Sequence, residues 1–319
     1  MLSNRLDSDQ VFEDKILVAV SGGADSVALF RGLMGIREQH RIELMVGHFD
    51  HALRPDSAND AEWVRELCQR WQVPCWIGRT DQAERNSEER ARQQRYEFLT
   101  RTAIAHHCGW IAVAHTASDQ AETVLHHILR GTGLKGLTGI PAVRRLTNGI
   151  RILRPLLAVS RQEVLAFLNE FEQDYRVDSS NESNIYTRNR LRNELLPHLR
   201  QEFNPRVEEA LVRLSDQARE SQTAIETIAG RLLADSQLEI QRDCVRLSRQ
   251  TMFGQPRAVI RELFVQLWQA QDWPRQELSA WHLDQLADMA LTSTPPRHSL
   301  PGRLDALSRG NVLTVRRHS

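Results

Sequence analysis

The chain has 319 residues, 41 basic and 41 acidic side chains and 41% hydrophobic residues, a globular profile that excludes disordered and collagen-like classes. Its length favours two domains over one, and no apolar run reaches the roughly 20 residues that a bilayer-spanning helix needs. An acidic start (Asp7, Asp9, Glu13, Asp14) lacks a leader pattern, and Cys68, Cys75, Cys108 and Cys244 form no Cys-x-x-Cys pair, so a cytoplasmic protein with reduced, mostly core-filling thiols is expected.

Zero net charge argues weakly against a nucleic-acid partner, but the charge is unevenly placed. Lys15 and Lys135 are the only lysines; arginine supplies the rest of the base. From Pro141 to Arg161 there are five arginines (144, 145, 151, 154 and 161) and no acid, and from Thr187 to Arg206 five more against Glu194 and Glu202. Two local basic tracts can bind phosphates while the total balances.

Taken in order, Ile16 to Val20 is a short β-branched-rich run and reads as a strand buried on both faces. It stops at Ser21-Gly22-Gly23, and after Ser26 the apolar spacing becomes helical, with Val27, Phe30, Leu33 and Met34. A strand, a glycine turn and a helix start favour an anion. Glycines admit close backbone approach, and the first helical N–H groups are unpaired at the positive end of the dipole. Ser21 and Ser26 add hydroxyls. No Gly-Lys-Ser/Thr follows, so this is not a Walker A loop. A carboxylate at Asp25 repels phosphate unless a divalent cation bridges them, which points to Mg²⁺. The run Ser21-Gly-Gly-Ala-Asp-Ser26 resembles the PP-loop of the N-type ATP pyrophosphatases. That resemblance implies cleavage of ATP between its α and β phosphates and transfer of AMP to a substrate oxygen.

Ile42–His48 reads as a second strand running into His48-Phe-Asp-His-Ala-Leu-Arg54, Ala58–Trp71 as a helix, and Val73–Ile77 as a third strand. Asn86 with Glu89 resembles a capping box. It opens a helix with the stripe Ala91, Arg95, Phe98, Leu99, Thr102 and Ala103, which Gly109 is expected to stop. Arg95 sits on that stripe, reaching a phosphate or snorkelling at its edge. Trp110–Ala114 is a fourth strand, ending at His115-Thr-Ala-Ser-Asp119-Gln-Ala-Glu122 before a helix striped by Ala121, Val124, Leu125, Ile128 and Leu129.

Strands alternating with helices predict an α/β fold with a doubly wound, mostly parallel sheet, whose ligand lies beyond the carboxyl ends of the strands. Ser21–Ser26, His48–Arg54 and His115–Glu122 all fall on that edge. Each has a plainer reading. Asp119 and Glu122 form a good capping pair, and His48, Asp50 and His51 are zinc-ligand types, though no neighbouring set completes a site. We read the histidine cluster as a polar rim around a nucleotide.

Four glycines in Leu129–Ile140 indicate a mobile or tightly turned loop. Ser160 caps a helix to Asn169, and Thr187 is an N-cap for a helix in which Arg188 and Arg192, four apart, share a face. Asn204-Pro205 opens a long helix to about Ala234. Val245–Leu247, helices over about 256–269 and 276–291, and strands ending at Val312–Val315 suggest a small α+β domain. The expected division is a catalytic domain over 1–204, a connecting helix over 205–235 and a small accessory or tRNA-binding domain over 236–319.

Across roughly residues 15–200 the chain is similar to the tRNA(Ile)-lysidine synthetases. The resemblance rests on Ser21–Ser26, His48–Arg54, Ala91-Arg-Gln-Gln-Arg-Tyr96, Ala114–Thr123, Leu129-Arg-Gly-Thr-Gly-Leu134, Arg154-Pro-Leu-Leu157 and Asp178-Ser-Ser-Asn181 through Arg188-Asn-Arg190. It implies that ATP and free L-lysine convert the wobble cytidine of a CAU-anticodon tRNA(Ile) to lysidine, releasing AMP and pyrophosphate. Backbone groups of Gly22, Gly23 and Ala24, with Ser21 and Ser26, would hold pyrophosphate. Asp25 would hold Mg²⁺ or orient the substrate, and His48 would border the nucleotide. Arg92 or Arg95, with Arg188, would neutralise the α-phosphate. Asp119, with His115 beside it, would take the proton from the lysine ammonium. Gly131 and Gly133 would let a loop close on the anticodon. No membrane partner is expected, and a homodimer is left open. Two rivals remain: another PP-loop transferase, and a nucleotide-binding sensor without chemistry.

Overall fold

A computed structural model describes residues 6, 14–52, 57–80, 88–146, 149–176 and 187–318. Leu53, Arg54, Asn86 and the motif over 178–181 lie outside the described residues. The chain divides into two compact units, Met1–Asp216 and Gln217–Ser319.

The first unit is built on a six-stranded sheet in the order β3-β2-β1-β4-β6-β5. Its strands are β1 (Lys15–Ala19), β2 (Glu43–Asp50), β3 (Cys75–Arg79), β4 (Trp110–Ala112), β5 (Val143–Arg145) and β6 (Arg151–Leu153). All neighbours pair in parallel except the β5–β6 edge hairpin. The expected doubly wound, mostly parallel sheet is present. Ile16, Leu17 and Val18 are all fully buried. Ile16 and Val18 join one core, with Leu29, Phe30 and Leu33 of helix α1 (Ala24–Ile36) and Val64 and Leu67 of α2 (Ser57–Arg70). Leu17 faces the other core, with Phe98, Leu99 and Ala103 of α3 (Glu88–Ala105). A strand covered on both faces must be apolar at every position, which is why β1 shows no alternation.

From β1 the chain steps outward to β2 and β3, then returns across β1 to β4. Strand order therefore reverses between β1 and β4, and their carboxyl ends flank a crevice. Several boundaries differ from expectation; the fourth strand, for one, ends at Ala112 and not Ala114. The third strand begins at Cys75, not Val73. Helix α3 ends at Ala105, and its left-handed residue is His107, with φ +56°, not Gly109. Gly109 is needed for another reason: a Cβ there would come within 2.7 Å of the Asp14 carboxylate. That carboxylate accepts from the Trp110 indole at 2.9 Å.

Helix α4 (Ala117–Leu129), a four-residue helix α5 (Leu134–Leu137) and α6 (Arg161–Glu170) follow. Ser160 caps α6 as expected, exchanging bonds with Glu163. Thr187–Arg190 (α7), a π-helical stretch Leu191–Leu195 and Leu196–Glu202 (α8) run on without a break, and α9 spans Val207–Ser236.

The second unit carries an antiparallel sheet in the order β7-β8-β11-β10-β9: β7 (Gln237–Gln241), β8 (Cys244–Ser248), β9 (Arg297–Leu300), β10 (Leu304–Arg309) and β11 (Val312–Arg317). Val245, Leu247, Leu313 and Val315 alternate inward against Phe264 and Trp268, a period-2 pattern suited to a sheet with one covered face. The small α+β architecture expected from the sequence is present.

Candidate active site

The turn after β1 is held open by its own side chains. Gly22 has φ +94°, a conformation that β-carbon sterics make costly for other residues. The Ser26 hydroxyl donates to the Gly23 carbonyl at 2.8 Å and accepts from the Ser21 amide at 3.1 Å. The Ser21 hydroxyl accepts from the Gly23 amide at 3.3 Å. Gly23 is the N-cap of α1 and offers no side chain, so no side-chain oxygen closes that helix end. Amides of the first turn at Ala24 and Asp25 are thus available to an anion at the positive end of the dipole.

His48 stands behind this turn. It is 4% exposed, and its Nδ1 bonds the Val20 carbonyl at 2.8 Å, so Nδ1 carries the proton. Burial holds its pKa below the ordinary value, against the pull of the Val20 bond. His48 ties β2 to the residue just before Ser21 and so sets the height of the turn.

Asp25 projects from the first turn of α1. Helix α6 packs on α1, which brings Arg161, at the start of α6, into an ion pair with Asp25. Burial raises the Asp25 pKa, with Arg161 opposing. Asp25 also lies in electrostatic range of Asp119 and Arg192, so the ends of β1 and β4 do converge. Among the described residues no group of three or more His, Cys, Asp and Glu side chains could hold a metal ion.

The opposite wall is the start of α4. Thr116 is the N-cap, and Asp119 Oδ2 accepts from its amide at 2.9 Å and its hydroxyl at 3.2 Å. Capping does describe one oxygen of Asp119. The other accepts from Arg188 at 3.0 Å and Arg192 at 3.1 Å. Glu122 caps nothing. It is 1% exposed, and its oxygens accept from Arg188 Nε at 3.0 Å and from Arg192. The helix face shared by Arg188 and Arg192 is as the spacing predicts, but here it presents both forks to carboxylates. Burial pushes the Asp119 pKa up; His115, the Thr116 amide and the two arginines outweigh it and leave the carboxyl below its usual range.

His115 and Arg154 line the floor. Arg154 is 2% exposed and donates from Nε to His115 Nδ1 at 3.1 Å and from Nη1 to the Pro141 carbonyl at 2.8 Å. His115 therefore accepts at Nδ1 and carries its proton at Nε2. Burial drives its pKa far down, with Asp119 opposing and Arg154, Arg92 and Arg188 adding to the fall, so the ring is neutral near pH 7. Arg95 is half-buried, and burial lowers its pKa; it lies in electrostatic range of Arg92, Arg188 and Asp119. Arg92 and Arg95 both sit over the Tyr96 ring, at 5.5 and 5.7 Å. Among the described residues neither forms an ion pair with a carboxylate.

The glycine-rich loop after α4 is tightly turned. Gln120, 1% exposed, donates to the Thr138 carbonyl at 3.2 Å and accepts from the Ile140 amide at 2.7 Å. His127 Nδ1 bonds the Gly136 carbonyl at 2.6 Å.

The structure thus gathers Ser21, Gly22, Gly23, Ala24, Asp25 and Ser26 at one wall of the crevice and His115, Asp119 and Arg188 at the other, with Arg92 and Arg95 nearby and His48 behind the turn. Reading the sequence as sites missed Glu122, Arg154, Arg161 and Arg192 as members of this network. The available signals were the i, i+4 pairing of Arg188 with Arg192 and an acid-free basic tract containing Arg154 and Arg161.

Residues 3–199 match the family model described as a PP-loop domain. A tRNA(Ile)-lysidine synthase from Nostoc sp. is 34% identical over 318 residues, covering 95% of this chain and 91% of that protein. One from Deinococcus radiodurans is 38% identical over 314 residues, covering 94% of this chain and 48% of that longer protein. One from Gloeobacter violaceus is 42% identical over 203 residues, covering 63% of this chain and 62% of that protein. Among solved structures, a U34-tRNA thiolase from Methanococcus maripaludis shares the fold, with a TM-score of 0.58 at 17% identity over 69% of this chain and 77% of that one.

Proposed function

The chain belongs to the tRNA(Ile)-lysidine synthase family of PP-loop proteins, ATP-dependent tRNA-modifying ligases, and on that premise we propose that its β1/β4 crevice joins free L-lysine to C2 of the wobble cytidine of a CAU-anticodon tRNA(Ile). The observation that carries this reading is the convergence, at one crevice, of an uncapped helix N-terminus beside Asp25 with the Asp119–Glu122 carboxylates and their two arginines.

Cytosine O2 is a weak nucleophile and its C2–O bond a poor one to break, so the oxygen must first be made a leaving group. O2 attacks the α-phosphate of ATP and pyrophosphate departs. The first-turn amides of α1, with Ser21 and Ser26, hold the pyrophosphate in place without reorganisation. Asp25, a carboxylate beside the phosphate cradle, would hold a Mg²⁺ ion once Arg161 yields its place. When bound, that ion would offset phosphate charge.

In the second step the lysine side-chain nitrogen attacks C2 and AMP leaves, taking O2 with it. An ammonium has no lone pair, so one proton must go to a base. Asp119 is a poor base while Arg188 and Arg192 hold it below the usual carboxylate range. We assign the arginines a second position, on the AMP phosphate. Their departure frees Asp119 and Glu122 to receive the ammonium, and Asp119 accepts its proton. His115, neutral and fixed by Arg154, keeps an Nε2 donor for a developing negative oxygen.

The test is AMP and pyrophosphate formation from ATP with a CAU-anticodon tRNA(Ile) transcript, with and without lysine. Lysine label entering tRNA only when all three substrates are present supports the reading. ATP cleavage indifferent to tRNA and lysine refutes it, and absence of cleavage favours a nucleotide sensor.

A further inference from the structure

Cys68 lies near the end of α2, and Cys75 opens β3, an edge strand of the first unit's sheet. The chain reverses between them through a fixed cap. The Val73 amide donates to the Cys68 carbonyl at 3.0 Å and the Gln72 amide to the Gln69 carbonyl at 3.1 Å, with Gln72 left-handed at φ +53°. This paired bonding is the Schellman ending of a helix. The Pro74 carbonyl then accepts from the Val46 amide at 2.8 Å, which joins the reversal to β2. Both cysteines pack into the same core, and their thiols meet in a hydrogen bond.

The two thiols are unequal. Cys68 is 1% exposed, and its bond to Cys75, with burial, pushes its thiol up. Cys75 is half-buried. The bond from Cys68 holds the Cys75 thiol below its ordinary value; burial opposes, and Arg65, one turn before Cys68, adds to the fall. A reachable, acidic thiol beside a buried partner is the arrangement of a reactive cysteine and its resolving cysteine. Cys108 is unlike either: it is 4% exposed, donates to the Met45 sulfur at 3.5 Å and is pushed up to about 11 by burial.

We propose that Cys68 and Cys75 form a peroxide-reactive dithiol whose disulfide ties α2 to β3 and weakens the anion turn. The Cys75 thiolate attacks one oxygen of hydrogen peroxide, the O–O bond breaks, and Cys75 becomes a sulfenic acid. The departing hydroxide takes the proton that Cys75 had released. The Cys68 sulfur then attacks the Cys75 sulfur; the S–S bond forms, the S–OH bond breaks, and the Cys68 proton leaves with that hydroxide as water. Two thiols and one peroxide give one disulfide and two waters, and a dithiol reductant returns the two electrons.

Helix α2 carries the effect to the turn. Val64, one turn before Cys68, lies 3.6 Å from where a Cβ on Gly22 would stand. Asp60, a further turn back, pairs with Arg176 at 3.0 Å, and the Arg176 amide donates to the Gly22 carbonyl at 2.9 Å. Hydrogen-bonded thiols stand farther apart than the about 2.05 Å of a disulfide, so closing the bond draws the end of α2 towards β3. A close-packed interior passes such a shift on, and the contacts behind Gly22 move with the helix.

The experiment treats the full chain with hydrogen peroxide, removes the excess and compares wild type with C68S and C75S. Intact mass and peptide mapping should show loss of two hydrogens and a Cys68–Cys75 linked peptide in the wild type. C68S should stop at a Cys75 sulfenic acid that dimedone traps, and C75S should form neither. In tRNA-dependent pyrophosphate release the oxidised wild type should show a KM for ATP raised about fivefold, the low end of coupling between sites. Dithiothreitol should restore it, and C75S should not respond to peroxide. Absence of the linked peptide, or a link through Cys108 or Cys244 instead, overturns the site. A complete link with the KM for ATP unchanged overturns its hold on the anion turn. The mass readout needs no activity, so a protein that forms the link without acting on tRNA overturns the proposed function and leaves the dithiol standing.

Discussion

Two groups of arginines, one in the catalytic crevice and one around a cleft of the second unit, are held in opposite ways. In the catalytic unit Arg188 and Arg192 are spent on Asp119 and Glu122, and Arg161 on Asp25. In the second unit Arg242, Arg303 and Arg317 face a cleft with no ion-pair partner among the described residues. A paired arginine has a fixed position and little net charge to offer until its partner is exchanged. An unpaired one contributes its full charge to the local field but little geometry. The first arrangement suits chemistry on one atom; the second adds to the local field without fixing a position.

The comparison can be broken most forcefully at Asp25. Asp25→Asn should lower tRNA-dependent pyrophosphate release about 10³-fold, as losing a charge-stabilising group at a phosphate does. Release at more than a tenth of the wild-type rate would remove Asp25 from the mechanism.

Asp119→Asn should leave ATP affinity nearly intact and slow lysine transfer about 100-fold, the usual worth of a general base. Single-turnover transfer from pre-adenylated tRNA separates the two steps. Transfer at the wild-type rate would exclude Asp119 as the base.

Glu122→Ala should destabilise the catalytic unit by about 2–3 kcal/mol in urea unfolding. Breaking a buried pair costs more than that range, but Arg188 and Arg192 are partly exposed (29% and 41%), so water screens the loss. A change below about 0.5 kcal/mol would mean that the arginines find other partners easily.

Acid should act on the units in different windows. His115 has its pKa depressed by burial, so below about pH 6.5 the unfolded chain takes up a proton that the folded chain refuses. Stability of the catalytic unit should fall as pH drops below that value, and less steeply in His115→Gln. Burial would raise the Asp305 pKa, but bonds from His318, Arg297 and Ser299 hold it at about 2. Its contribution is present above the ordinary carboxylate pKa and lost as pH falls from about 4 to 2. This smallest effect belongs to the second unit and should vanish in Asp305→Asn. Melting curves followed by fluorescence across pH 2–8 would show both.

Much of the crevice was legible. Ile16–Val20 announced a buried strand, the Ser21–Ser26 turn an anion cradle, and alternation of strands and helices the edge at which His115 and Asp119 would arrive. Glu122 was not legible as an ion-pair partner, because an acid three residues after Asp119 near a helix start has the same spacing whether it caps or binds arginine. Arg154 was hidden by type: arginines are rarely buried, and its bonds to the Pro141 carbonyl and His115 help make its burial tolerable. Gly109 was read as a helix stop because glycine commonly is one; the Asp14 carboxylate that excludes a side chain there is distant in sequence.

By itself the sequence determined the elements, the turn chemistry and the family, because these depend on neighbours within one turn or one strand of the chain. Tertiary structure alone decided which charges neutralise one another. Asp25 meets Arg161, Glu122 meets Arg188 and Arg192, and among the described residues no carboxylate pairs with Arg242, Arg303 or Arg317, because ion pairing depends on distances between segments that only packing brings within a few ångströms.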